Sequence, residues 1–230
     1  MKTLICILAH NNLTLTKACV ASALKQDVPC DVLVLDNASS DNTPQWLGTT
    51  GTAVIAVKDR MSVAGCWNFV LELAFTPGKY DAVLVLNNDT EVREDCVRWL
   101  SADPAPFVTA ISVRTREEMN YPNPPTTRRP HPDFSCFMIK RECWKRVGRF
   151  DERFEVAFFE DNDYHVRAHR AGVELIGIDL PFLHHGSQTV KRADPAEMRM
   201  IQRAAERNRK LFRSIYGCEP GSKDYENLFV

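Results

Sequence analysis

The sequence predicts an α/β protein in which a mostly parallel β-sheet is flanked by helices. Three observations support this prediction. Short apolar runs alternate with segments of helical spacing, the strand-like runs are apolar throughout, and the 230 residues are 44% hydrophobic and 26% charged. Strands that are apolar on both faces are typical of a parallel sheet covered on each side by helices. The composition is that of an ordinary globular domain.

The first hundred residues alternate between predicted strands and helices. The runs TLICILAH, DVLVLDN, TAVIAVK and DAVLVLNND have the length and apolar content of buried strands. Between them, apolar residues recur three or four positions apart, and Ser62 is a suitable helix cap. These patterns predict strands at 3–10, 31–37, 52–58 and 81–89, and helices at 15–25, 62–75 and 94–100.

The remaining residues are more mixed. Residues 115–133 contain five prolines and no periodicity, which is typical of a functional lid or a disordered segment. The last predicted helix carries an apolar stripe, and the helix before it ends at Gly172. We expect strands at 106–114, 134–141 and 173–187, the last ending in a polar turn, and helices at 160–172 and 195–217.

Net charge and cysteine pattern narrow the function classes. The formal net charge of −1 favours neither nucleic acid nor a membrane surface as a partner. No apolar run approaches the roughly 20 residues that cross a bilayer, and the N-terminal MKTLICILAH is better explained by a core strand than by a signal peptide. The eight cysteines form no CxxC pair. This pattern favours free thiols over a zinc or disulfide framework, and a reducing, cytoplasmic location.

Three common motifs are missing from the sequence. It contains no GxGxxG dinucleotide fingerprint, no phosphate loop ending in GKS or GKT, and no GxSxG nucleophile elbow. Ordinary NAD enzymes, P-loop kinases and α/β-hydrolases are therefore disfavoured.

Two acidic residues end predicted strands, where parallel α/β sheets bind their ligands. A carboxylate at Asp36 either accepts hydrogen bonds from a ribose or base, or joins Asp41 in stabilising a turn and capping a helix that starts near Thr43. Asp89 follows the polar pair Asn87 and Asn88. It either binds a hard cation such as Mn²⁺ or Mg²⁺ together with substrate phosphates, or caps the next helix.

Further acidic residues and histidines are candidates in the second half. Residues 160–163 (EDND) either complement a helix dipole or, through mutual repulsion, supply a general base. His184 and His185 follow the last strand and are either metal ligands or ordinary histidines. His165 and His169 have a zinc-compatible spacing, but no third ligand is evident in the sequence.

Five stretches, taken in order, resemble the family-2 glycosyltransferases of the GT-A fold, most of all the rhamnosyltransferase-like branch. The stretches are VLVLDNASSDNT, SVAGCWN, VLVLNNDTEV, GRFDERFEVAFFEDNDYHVRAHRAG and FLHHGS. The resemblance covers most of the chain, from Thr3 to Gly217. It implies a GT-A domain over 1–217, with a nucleotide-sugar-binding half (1–100), an acceptor and catalytic half (101–193), a C-terminal amphipathic helix (194–217) and a tail (218–230).

The resemblance also implies a role for each matching residue. The stretch from Asn87 to Asp89 corresponds to a DxD-type motif, although asparagine at its first position leaves one carboxylate for the metal. The first loop reads AHNN, where an aromatic residue before the asparagine is more usual. The implied donor-nucleotide contacts are Ala9, Asn11, Asp36, Arg60, Asn68, Asn87 and Asn88. The implied Mn²⁺ or Mg²⁺ ligands are Asp89 and His184, with His185 as the alternative histidine. The implied general base is Asp161, next to Glu160.

The function implied is metal-dependent, inverting transfer of a hexosyl or deoxyhexosyl group from a nucleotide-diphosphate sugar to an acceptor hydroxyl. The lack of an activated serine or cysteine agrees with a single displacement, and the short C-terminal region disfavours a processive synthase. Two alternatives stay open. A sugar nucleotidyltransferase is disfavoured by the glycine-free LAHNNLTLTK loop, and an inactive nucleotide-sugar-binding homologue is disfavoured by the retained acidic residues.

The donor and the acceptor are not specified by these motifs. Uridine and deoxythymidine diphosphates both suit Asp36. The C-terminal helix carries a basic run that is either a solvated face or a surface for a lipid-linked glycan, an acidic polysaccharide or a nucleic acid with a modified base hydroxyl. That run comprises Arg199, Arg203, Arg207, Arg209, Lys210 and Arg213, and the proline-rich loop adds Arg128 and Arg129, expected near the acceptor side or the diphosphate.

Overall fold

A computed structural model describes residues 1–120, 125, 127–129, 133–186 and 195–229. Its strands are β1 (Thr3–Ala9), β2 (Asp31–Asn37), β3 (Ala53–Val57), β4 (Ala82–Asn87), β5 (Thr90–Glu91), β6 (Phe107–Val113), β7 (Arg128–Arg129), β8 (Cys136–Lys140) and β9 (Leu175–His184). Its helices are α1 (Leu13–Ala23), α2 (Thr43–Leu47), α3 (Val63–Phe75), α4 (Cys96–Ala102), α5 (Arg141–Val147), α6 (Glu160–Arg170), α7 (Pro195–Tyr216) and α8 (Lys223–Glu226), followed by a 3₁₀ turn over Asn227–Phe229.

The strands form one mixed sheet in the order β3-β2-β1-β4-β8-β6-β9-β5, and β7 pairs with β9 at the side. Strands β1 to β4 are parallel to their neighbours within the first half of the sheet. β8 runs antiparallel between β4 and β6, and β6 is again parallel to β9. The predicted α/β class is therefore confirmed, with a sheet that is parallel over its first half and mixed over the remainder.

Two apolar clusters cover the two faces of the sheet. One packs α3 against the sheet through Trp67, Leu71 and their neighbours, and also includes Tyr164 of α6. The other packs α1, α2 and α4 against the opposite face. Because both faces are covered, the strands can be apolar throughout, which is the pattern seen in the sequence.

A third, smaller cluster attaches the C-terminal residues to α6. Phe212 of α7 and Tyr225 of α8 pack with Phe154 and Val166. Hydrogen bonds reinforce the contact, since the Tyr216 hydroxyl donates to Asp163 at 2.7 Å. Helix α7 therefore packs directly against the helix that begins with the acidic EDND segment.

Several elements differ from the sequence prediction. The strand expected at 81–89 ends at Asn87, because Asn88 and Asp89 form a turn into the two-residue strand β5. Helices α5 and α8, of seven and four residues, were not predicted from the sequence. Strand β7 lies inside the proline-rich segment, and residues 121–124, 126 and 130–132 of that segment lie outside the described residues. So does Ser187 of the FLHHGS stretch.

None of the helices in the described part of the chain is long and apolar enough to cross a membrane.

Candidate functional site

The carboxyl ends of β1, β2 and β4 meet at one edge of the sheet. Ala9 pairs with Asp36 across β1 and β2, and Leu8 pairs with Asn87 across β1 and β4. Asp36 is only 2% exposed, and its Oδ1 accepts a hydrogen bond from the N–H of Ser39 at 3.2 Å. Polar side chains that the sequence places at separate strand ends are thus brought together.

Asn11 joins the loops that follow β1 and β2. Its Oδ1 accepts hydrogen bonds from the N–H groups of Ser40 (2.7 Å) and Asp41 (3.2 Å). The Nδ2 of Asn88 in turn donates to the Asn11 carbonyl (2.9 Å) and to the Thr16 hydroxyl (2.8 Å). The two asparagines therefore shape the edge of the site through its backbone.

Asp89 and His184 converge at the end of β4. Their strands are paired because Thr90 lies opposite His184 in the antiparallel β5–β9 ladder. The Nε2 of His184 lies 3.5 Å from Oδ1 of Asp89, and the two side chains are 15% and 8% exposed. The N–H of His185 also donates to the Asp89 carbonyl at 2.9 Å, which fixes the turn.

The two adjacent histidines face different carboxylates. His185 Nε2 lies 2.9 Å from Oε1 of Glu91, and Arg116 Nη2 contacts both oxygens of Glu91 at 2.8 and 2.6 Å. His184 faces Asp89 instead. The alternation of side chains along an extended strand explains this separation.

The pair formed by Asp89 and His184 suits a divalent cation shared with a substrate. Ligand atoms about 2.1 Å from one octahedral cation lie about 3 Å apart, close to the 3.5 Å observed between the two side chains. Within the described residues, no group of three or more His, Cys, Asp or Glu side chains forms a metal cluster. Mg²⁺ and similar cations usually take one or two protein ligands and complete their coordination with water and substrate phosphates.

A cavity of about 220 Å³ opens beside this pair. Arg60 contributes a guanidinium group to its wall, and Asp89 and His184 also line it. The other lining residues are Leu8, His10, Asn37, Met61, Val63, Asn87, Asn88, Ser135, Val156, Ala157, Phe158 and Ile201. The cavity therefore offers both signs of charge and an apolar wall to an anionic ligand.

Glu197 of α7 contacts the positive side of the cavity. Its Oε1 lies 2.5 Å from Nη1 of Arg60 and 3.3 Å from Nε2 of His10. The Arg60 loop is held in place because Asn37 makes two hydrogen bonds, at 2.8 and 3.0 Å, to the backbone of Met61. Helix α7 thus places the Glu197 carboxylate against Arg60, the positively charged side chain that a bound anion would contact.

Glu160 and Asp161 begin helix α6. Glu160 is 5% exposed, and its Oε2 has no hydrogen-bond partner among the described residues. Burial and the neighbouring Asp161 raise the pKa of Glu160 well above its usual range. Desolvation, with a contribution from the charge of Asp133, also raises the pKa of Asp161. The more exposed of the two, Asp161, is the better placed to exchange a proton with a ligand.

Asp161 lies beside the cavity rather than in its wall. Phe158, three residues earlier, lines the cavity, and so does Ser135, whose N–H donates to Asp133 at 2.8 Å. The acidic start of α6 therefore closely follows a segment, Val156 to Phe158, that lines the cavity.

A larger groove of about 1050 Å³ lies behind β5, next to Glu91 and Arg93. Several of its charges are paired within the groove, since Arg98 pairs with Asp27 at 2.8 Å and Arg116 pairs with Glu91. Neither Asp89 nor His184 lines it. The smaller cavity is therefore the stronger candidate site.

Asn68 does not reach the cavity. Its side chain is fully buried, with Nδ2 donating to the Phe150 carbonyl (2.9 Å) and to Glu152 (2.8 Å), and Oδ1 accepting from the Phe150 N–H (2.8 Å). The Asn68 amide is thus fully hydrogen-bonded to the loop after α5. The structure therefore places Asn68 outside the cavity, and the donor contact implied for it by the resemblance is not part of the site.

Arg128 and Arg129 also lie away from the site. Arg128 pairs with Ile178 in the ladder, six residues before His184, which corresponds to roughly 20 Å along β9. Its guanidinium contacts Asp103 and Glu174. The structure does not bring the two arginines to the strand-end cavity, because β7 pairs with the beginning of β9 and the cavity lies at its end.

Two contributors to the site were not predicted. His10 follows β1 directly, so the strand-end rule that identified Asp36 and Asp89 also applies to it. Glu197 carries no such signal, because an acidic residue in a first helical turn is ordinarily explained by the helix dipole. Its contact with Arg60 spans 137 residues and depends on the tertiary fold.

The sheet order and the strand-end cavity define a GT-A fold, and the sequence comparison identifies the family. The chain belongs to the family described as "Glycosyl transferase family 2", whose profile matches residues 4–159, more than half of the chain. A comparison with curated protein sequences finds no match.

Solved structures of glycosyltransferases share the fold at low sequence identity. GalNAc-T7, solved with UDP, GalNAc and Mn²⁺, has a TM-score of 0.63 and 13% identity over 80% of this chain and 44% of that chain. PcManGT, a mannosyltransferase from Pyrobaculum calidifontis solved with GDP-Man and Mn²⁺, has a TM-score of 0.56 and 18% identity over 99% and 78%. TarS from S. aureus has a TM-score of 0.60 and 15% identity over 100% and 47%. The chain thus spans less than half the length of GalNAc-T7 and TarS.

Proposed function

We propose that this protein transfers a sugar from a nucleotide-diphosphate donor to an acceptor hydroxyl, with a divalent cation and with inversion at the anomeric carbon. The observation that carries the proposal is the juxtaposition of Asp89, His184 and Arg60 around one cavity at the end of β4. Family membership supports it, as does the presence of nucleotide sugars or nucleotides with Mn²⁺ in two of the similar structures.

The donor would lie across the strand ends. Asp36 and the backbone near Ala9 and Asn11 would contact the nucleoside, and Arg60 would face the diphosphate. Asp89 and His184 would hold Mn²⁺ or Mg²⁺, which neutralises the negative charge that grows on the leaving diphosphate. Asn87 and Asn88 would keep the strand end in the required shape, which accounts for a core strand that ends in three polar residues.

Asp161 would act as general base. It would take the proton from the acceptor hydroxyl while that oxygen forms a bond to the anomeric carbon and the bond to the diphosphate oxygen breaks. The raised pKa of Asp161 suits this role, because a general base is most effective when its pKa lies closer to the working pH. Glu160 is too buried to meet an acceptor, and burial and the neighbouring Asp161 raise its pKa, which favours its neutral form.

Two classes of acceptor are compatible with the proposed reaction. Basic side chains on the outer face of α7 are exposed and suit an anionic acceptor such as a lipid-linked glycan, or a nucleic acid with a modified base. A neutral glycan would need no such face. Binding to an anionic acceptor would weaken steeply with salt, whereas binding to a neutral one would not.

A donor screen tests the proposal. The protein is incubated with Mn²⁺ and a panel of nucleotide sugars, and release of nucleoside diphosphate is followed for wild type and Asp89→Ala. Metal-dependent release from one donor, lost in Asp89→Ala, is the expected result. An inactive nucleotide-binding homologue would instead show nucleotide-induced thermal stabilisation without release, even with a range of hydroxyl acceptors. If the protein shows neither release of nucleoside diphosphate nor thermal stabilisation by any nucleotide, the proposal is contradicted.

A further inference from the structure

The loop that leads into helix α6 has a strained backbone. Val156, Phe158 and Phe159 have φ angles of 60°, 80° and 76°, a region that favours glycine. Val156 is β-branched, for which this conformation is an outlier. Such a backbone persists only where its surroundings over-determine it. Contacts from elsewhere in the fold must therefore hold this loop.

One buried side chain on α7 makes several of those contacts. Asn208 is 1% exposed, and its Nδ2 donates to the carbonyl oxygens of Glu155 (2.8 Å), Ala157 (3.0 Å) and Phe158 (3.1 Å). Its Oδ1 accepts a hydrogen bond from the Glu155 N–H at 3.0 Å. A single amide thus contacts four backbone groups within four residues, with its two N–H groups shared among three carbonyl oxygens.

The position of Asn208 in its helix also requires an explanation. Its neighbours on the buried face of α7 are Ile201, Ala204 and Phe212. Asparagine has a lower helix propensity than alanine or leucine. Burying its side-chain amide also costs free energy unless the amide is hydrogen-bonded. The hydrogen bonds to the loop supply those partners.

The loop connects the parts of the proposed site. Val156, Ala157 and Phe158 line the cavity. The carbonyl of Val156 accepts a hydrogen bond from the N–H of Val63, the first residue of α3, at 2.8 Å. Phe159 directly precedes Glu160 and Asp161, so a change in the loop would move both the cavity wall and the start of α6.

We propose that Asn208 is a positioning residue that holds the 155–159 loop and thereby sets Asp161 against the donor cavity. The inference rests on the proposed function. It adds helix α7, which lies beyond the family match at residues 4–159, to the parts of the chain that determine turnover.

The test compares Asn208→Leu and Asn208→Asp with a remote core variant, Leu100→Ala. Leucine has a similar size but no hydrogen-bonding groups, and aspartate opposes three carbonyl oxygens with a carboxylate. Leu100 is fully buried on α4 in a different core cluster, so its truncation lowers stability without touching the loop. All variants are studied as the full chain, well below their melting temperatures.

Two readouts separate positioning from stability. Hydrogen exchange of a peptide covering 154–161 is expected to become at least about tenfold faster in both Asn208 variants and to stay unchanged in Leu100→Ala. With the donor found in the screen, kcat is expected to fall at least about tenfold in the Asn208 variants, with a smaller change in KM, because a displaced base affects the transition state more than donor binding.

Equal exchange and equal kcat in the Asn208 variants and Leu100→Ala would overturn the inference. If Asn208→Leu does not fold, Asn208→Ser, which leaves room for water, carries the same comparison. If the wild-type protein turns over no donor, the proposed function fails, and unchanged loop exchange in the Asn208 variants would show separately that Asn208 does not hold the loop.

Discussion

Replacing Glu197 by glutamine should tighten the binding of a nucleoside diphosphate. In the structure, the Glu197 carboxylate lies 2.5 Å from Arg60 and 3.3 Å from His10, at the positive side of the cavity. A bound diphosphate would compete for the same guanidinium. Glutamine keeps the size of the side chain and removes its charge.

The expected gain follows from the exposure of the pair. The Arg60 and Glu197 side chains are 26% and 18% exposed, so separating them costs about 1 kcal/mol, near the upper end for a solvent-accessible ion pair. Residual repulsion between the carboxylate and the diphosphate adds a few tenths. A total of about 1–1.4 kcal/mol corresponds to a five- to tenfold lower Kd for Glu197→Gln.

Isothermal titration with nucleoside diphosphate and Mn²⁺ measures this difference. The control is Glu206→Gln, which removes the same charge from an exposed position on the same helix and should leave Kd within about twofold. The gain from Glu197→Gln should shrink at high salt, because screening weakens the competition. Unchanged or weaker binding by Glu197→Gln would refute the reasoning and show that Glu197 orients Arg60 for the ligand.

Three further predictions follow from the site. His184→Ala should lower Mn²⁺ affinity in the presence of nucleotide at least about tenfold. The His185 ring contacts Glu91, so His185→Ala should change the affinity much less. A Mn²⁺ titration that shows the reverse order would assign the ligand to His185. The raised pKa of Glu160 contributes stability that is complete below its unfolded pKa and is lost as pH rises through the folded pKa. Melting temperature should therefore fall more steeply with rising pH in wild type than in Glu160→Gln, and parallel curves would contradict this. Asp161→Asn should abolish turnover while donor binding persists, as judged by release and titration on the same sample.

The sequence predicts the sheet and its strand ends well, because both depend on local patterns. Apolar runs that end in Asp36 and Asp89 place two carboxylates at the carboxyl edge of a parallel sheet, and the structure has that arrangement. The two-residue strand β5, by contrast, exists only through its pairing with β9. No periodicity can reveal an element of that length.

Residues whose role depends on tertiary contacts could not be assigned from the sequence. Asn68 lies in a helix expected to border the donor, but helical spacing does not say which neighbouring loop a buried amide meets. Arg128 was misplaced because its strand register was unknown. Glu197 and Asn208 act across 137 and about 50 residues of sequence, through the packing of α7 against the site. Nothing in the helical pattern of α7 distinguishes these two side chains before that packing is known.

In the proposed mechanism, Asp89 anchors a cation-bound nucleotide and Asp161 is the general base. Calorimetric titration of uridine, guanosine and deoxythymidine diphosphates with and without Mn²⁺, into wild type, Asp89→Asn and Asp161→Asn, tests it most directly. We expect Mn²⁺-dependent binding that is equal in wild type and Asp161→Asn and at least about tenfold weaker in Asp89→Asn. Binding that is independent of Mn²⁺, or unaffected by Asp89→Asn, would contradict it.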